Sequence, residues 1–107
     1  MNIYNSILTF SNDFKNCDEV KEFIRLKKKI DENVENKKII DDFHKKLYDY
    51  QVAKQNGEDV AEREKQLNDL NQILMSNSEI SEFMAAEVRI STIMNDIVKM
   101  LEETIAG

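Results

Sequence analysis

The chain has no proline and no tryptophan, only two glycines (Gly57 and Gly107), one cysteine (Cys17) and one histidine (His44). Each scarcity excludes something. Without proline, and with so few glycines, little interrupts a helix, so long helices are expected. Two glycines cannot build a glycine-rich phosphate loop. A single cysteine forms no internal disulfide and no structural zinc site, and it suits a reducing compartment. A single histidine leaves the serines and threonines without a recognisable His and Asp arrangement for nucleophilic catalysis. No apolar run approaches the roughly 18–20 residues that a membrane span requires. The start, MNIYNSILTFSNDFK, lacks a basic segment followed by an apolar block and a small-residue cleavage site, so a cytoplasmic location is expected.

What is present is a chain of 107 residues, 41% hydrophobic and 34% charged, a balance that fits one folded helical domain over residues 1–107. The net charge of −6 is unevenly spread. Residues 1–54 carry 11 Lys/Arg against 10 Asp/Glu, whereas residues 55–107 carry 4 against 11. The acidic second half is unsuited to nucleic acid, and no DNA partner is expected. Arg25, Lys27, Lys28 and Lys29 form the one basic run, set among Asp18, Glu19, Glu22, Asp31 and Glu32. A solvated helix face is its first reading, and an RNA-touching patch is the alternative.

Helical periodicity runs throughout and strand-like alternation is absent, which predicts an all-α multi-helix bundle. A first segment, from about Asn2 to Lys15, places Ile3, Ile7, Phe10 and Phe14 on one stripe. Asn16 with Glu19 resembles a capping box that opens a second segment carrying Val20, Phe23, Ile24 and Ile30 and reaching as far as Val34. The polar break DENVEN precedes a third segment with Ile39, Ile40, Phe43, Leu47 and Tyr50, expected to end at Gly57. Asp59 with Glu62 marks a fourth, whose buried side is read as Leu67, Leu70, Ile73 and Leu74. The short NGE connection implies that the third and fourth segments fold back on one another.

Ser76 with Glu79 opens the last and longest segment. In heptads, Phe83, Ile90 and Ile97 occupy one seam position and Ile80, Met94 and Leu101 the other, with Glu87 the only charge between them. Met84, Val88, Ile93, Val98, Met100 and Ile105 lie outside that seam, so the apolar surface exceeds what one neighbouring helix covers. A second contact surface follows, and a homodimer is the simplest occupant. The oligomer or partner surface is therefore read as Ile80, Phe83, Ile90, Met94, Ile97 and Leu101. Chemistry is sparse by comparison. Asp41 and His44 have the carboxylate–histidine spacing of di-iron bundles, yet the second copy of that motif is missing. A metal-binding helical protein is the weaker alternative.

The segment DENVENKKIIDDFHKKLYDYQ, a helix after a polar break, and the later block NSEISEFMAAE give the chain an order of features that resembles the YlbF/YheA/YmcA group of small bacterial helical proteins. The likeness spans nearly all 107 residues. It implies an all-α fold that associates as dimers or higher oligomers, no catalysis, and a regulatory role exerted through partners. In spore-forming Gram-positive relatives those partners are other small helical proteins of the same family and an RNA-decay nuclease, RNase Y. The processes affected there are competence, sporulation, biofilm formation and RNA processing. Members of that complex carry iron–sulfur clusters on cysteines. This chain departs there, since its end, LEETIAG, has no cysteine and Cys17 stands alone, so no cofactor is expected.

Overall fold

Asn2 starts the first helix by accepting the Tyr4 backbone N–H on its side-chain oxygen at 2.9 Å. The computed structural model describes all 107 residues, and they form five helices: α1 (Ile3–Lys15), α2 (Asp18–Glu32), α3 (Val34–Gln55), α4 (Ala61–Met75) and α5 (Ser78–Ala106). There is no strand, as the periodicity requires.

Asparagine decides most of the breaks. Asn33 is extended (φ −108°, ψ 100°) and accepts the Asn36 N–H on Oδ1 at 3.1 Å, which separates α2 from α3 inside DENVEN and puts Val34, expected at the end of the second segment, at the start of α3. Two expected starts are displaced. Asn16 closes α1 instead of opening α2: its backbone N–H reaches the carbonyls of Asn12 and Asp13, and its Nδ2 donates to Asn12 O at 2.8 Å. Its backbone stays near the helical region (φ −96°, ψ 0°), whereas an N-cap needs an extended one. Cys17 takes the capping place, its carbonyl accepting from the Lys21 N–H at 3.1 Å. Ser76 likewise ends α4, with its hydroxyl on Ile73 O at 2.7 Å, and Asn77 opens α5 by accepting the Ile80 N–H at 3.1 Å. Both junctions are two residues long, so the first residue finishes one helix and the second begins the next.

Gly57 ends α3 where expected. It is left-handed (φ 75°), and the Glu58 N–H reaches Ala53 O at 3.0 Å while the Gly57 N–H reaches Lys54 O at 3.2 Å, a Schellman closure. Asp59, expected as the cap, accepts the Ala61 N–H at 3.0 Å from two positions before α4, and Val60 holds the cap position.

The chain divides into two compact units, Lys28–Glu82 and Met1–Lys27 with Phe83–Gly107. In the first, α3 and α4 pack together as the short NGE turn implies, around Ile30, Ile40, Ala53, Leu74 and Ile80. Leu74 is fully buried there, but Ile73, expected beside it, is exposed. One helix face cannot hold both adjacent residues against a single neighbour. In the other unit the buried side chains are Leu26, Phe83 and Ala86, with Phe23 stacked on Phe83 at 5.5 Å. α1, in that same unit, buries none of its residues.

Candidate association surface

The twenty-nine residues of α5 sort by burial into two faces. Phe83 and Ala86 are buried, and Ile90, Ile93 and Ile97 continue that side half-buried. Met94, Val98, Leu101 and Ile105, at steps of four, three and four, form a second stripe that is bare from 50% exposed at Val98 to 86% at Ile105. The six residues read from the heptads therefore separate. Ile80 and Phe83 belong to the chain's own core, Ile90 and Ile97 are half-buried, and Met94 and Leu101 face solvent. Val98 and Ile105 complete the exposed stripe. Their spacing from Met94 was visible in the sequence, but heptad counting placed them outside the seam.

Polar groups position the start of α5. Asn36 is the only polar side chain in the buried set. Its Nδ2 donates to Glu79 Oε1 at 3.1 Å, and its Oδ1 accepts from Asn77 Nδ2 at 3.0 Å. The first turns of α3 and α5 meet at this point, and the Glu79 carboxylate lies where the amino-terminal dipole of α5 favours negative charge. No buried side-chain nitrogen or oxygen is left without a partner. Sequence reasoning read Asn36 only as part of a polar break, because nothing local marks it as buried.

The rival sites have less behind them. Arg25 is held by Glu22 through a two-pronged contact at 2.9 and 2.5 Å, so part of the basic run is neutralised on its own helix. Asp41 accepts from Lys37 Nζ at 3.0 Å, and that hydrogen bond raises the lysine pKa above its ordinary value. The His44 ring lies 6.3 Å from that of Phe43. No group of three or more His, Cys, Asp or Glu side chains converges as a metal site would require. An open hollow between α3 and α4, lined by Phe43, Leu47, Tyr50, Glu64 and Leu67, contains one carboxylate and no base or nucleophile paired with it. No helix is long and apolar enough to cross a membrane.

The sequence profile described as "Control of competence regulator ComK, YlbF/YmcA" matches residues 3–106. The chain belongs to this family. Relatives at similar distance include UPF0342 proteins of Clostridium novyi, 31% identical over 98% of this chain and 93% of the relative, and of Clostridium tetani, 32% identical over 98% and 91%. A third, from Halothermothrix orenii, is 31% identical over 94% and 86%. The match to the YlbF/YmcA family covers all five helices, and a regulatory role is consistent with the family's description.

Proposed function

We propose that this member of the YlbF/YmcA family is a non-enzymatic, cytoplasmic regulatory adaptor that acts by protein–protein association, with the carboxy-terminal half of α5 as its contact surface. The observation that carries this reading is the bare stripe Met94, Val98, Leu101 and Ile105. A fully buried aliphatic side chain stabilises by about 1.5–3 kcal/mol, so covering four partly exposed ones offers several kcal/mol to whatever docks there. Ile90 and Ile97 border the stripe. The partners are a second copy, in a homodimer, and either other small helical proteins of the family or an RNA-decay nuclease such as RNase Y. Competence, sporulation and biofilm formation are the processes such an adaptor would influence.

Affinity purification of the tagged protein from its native host, with and without ribonuclease, followed by mass spectrometry, tests the reading. Recovery of related helical proteins or of the nuclease regardless of ribonuclease supports it. Loss of every partner on ribonuclease treatment would replace it with the RNA-binding alternative through Arg25, Lys27, Lys28 and Lys29.

A further inference from the structure

A helix of thirteen residues is marginal on its own in water, because nucleation is costly and few hydrogen bonds offset it. Helices of this length are ordinarily held by burying one face. α1 buries nothing: Ile3, Tyr4, Ile7, Leu8 and Phe10 are all exposed, and Phe14 is half-buried. The junction after it is two residues long and closed by hydrogen bonds at Asn16, and only the Phe14 end of the apolar stripe is partly covered by its own chain.

We infer that α1 docks on the bare α5 stripe of a second copy, and that the exchange is reciprocal. The inference rests on the association reading above and names the occupant of that surface. Three observations support it. The α1 stripe Ile3, Ile7, Phe10, Phe14 and the α5 stripe Met94, Val98, Leu101, Ile105 share the spacing four, three, four. Each therefore extends about 16 Å along its helix, and the two match end to end.

The second observation is charge. No side chain from Asn2 to Asn12 is Asp, Glu, Lys, Arg or His, Asp13 lies off the stripe, and the four α5 residues are apolar, with Asp96, Lys99, Glu102 and Glu103 at other positions. Both stripes can leave water without stranding a charge. The polar side of α1 consists of Asn, Ser and Thr with Asp13 and Lys15 in its last turn, so a single basic residue, offset by an acidic one, gives it little to draw it to an anionic lipid surface.

The third is area. A reciprocal exchange makes two identical contacts and brings together sixteen large side chains. At roughly 60 Å² lost by each, the total is about 1,000 Å², at the lower bound for a specific interface. The two-fold symmetry closes the assembly at two chains and leaves no open end from which a filament could grow.

The test uses full-length chains in light scattering and native mass spectrometry. Ile7→Asp and Leu101→Asp should each weaken self-association about tenfold or more. Because neither side chain is buried in the chain, the variants should keep the parent's circular dichroism. An equimolar mixture of the two variants should recover dimers containing one of each, since one intact α1 and one intact α5 stripe still meet. If Leu101→Asp abolishes association and Ile7→Asp does not, the role of α1 is refuted while the association surface stands. If both variants weaken association and the mixture recovers nothing, the reciprocal geometry is wrong. A parent that stays monomeric at every concentration refutes this inference and the self-association it rests on, leaving the regulatory reading to the purification described above.

Discussion

Asn36 shows how much a single buried amide can hold. It takes the Asn33 oxygen on its backbone N–H, gives a hydrogen to Glu79 and accepts one from Asn77, so truncation leaves two partners unmet. Asn36→Ala should lower stability by about 1–3 kcal/mol in urea denaturation. Asn36→Leu restores volume without the hydrogen bonds and should stay well below the parent; parental stability in that variant would mean the junction contributes only packing. Gly57 makes the opposite point about space. A Cβ there would meet nothing within 4 Å, so its requirement is purely conformational. Gly57→Ala should lose about 1 kcal/mol and Gly57→Asn less, because asparagine tolerates the left-handed region; equal losses in the two melts would remove that explanation.

On the scale of whole helices, α5 has two faces with two expected behaviours. Ile90, on the half-buried side, should destabilise the chain itself by about 1–3 kcal/mol when changed to Asp, through a partly desolvated charge and a lost apolar contact. Leu101→Asp, on the bare side, should change the denaturation midpoint of dilute protein by less than about 0.5 kcal/mol while weakening association. Equal effects of the two on the dilute chain would show that the faces are wrongly assigned. Helix number, order and approximate ends were legible because spacing and capping are local properties. The capping residue was read one position early at two of the two-residue junctions, where Asn16 and Ser76 each carry a plausible N-cap side chain but a C-cap backbone.

For the whole molecule, charge narrows the partner class. The net charge is −6, and the acidic surplus lies in residues 55–107, the half that contains the exposed α5 stripe. Repulsion from phosphates should keep RNA affinity weak even at low salt, as a fluorescence anisotropy titration would show. Tight, steeply salt-dependent binding would instead move the function to the basic run at residues 25–29. Membership of the YlbF/YmcA family is consistent with a regulatory role.

By itself the sequence determined the all-helical class, the five segments, the end at Gly57, a break within DENVEN and the family, because each rests on periodicity, caps or local composition. It also showed that the last helix has more apolar surface than one neighbour can cover. Which residues form that surplus was decided only by tertiary packing. A heptad pattern gives the faces of a helix but not which face its own chain occupies, so Ile80 and Phe83 went to the core while Met94 and Leu101 stayed outside. The burial of Asn36 was hidden for the same reason: its partners Asn77 and Glu79 lie more than forty residues away, and only the fold brings them to it.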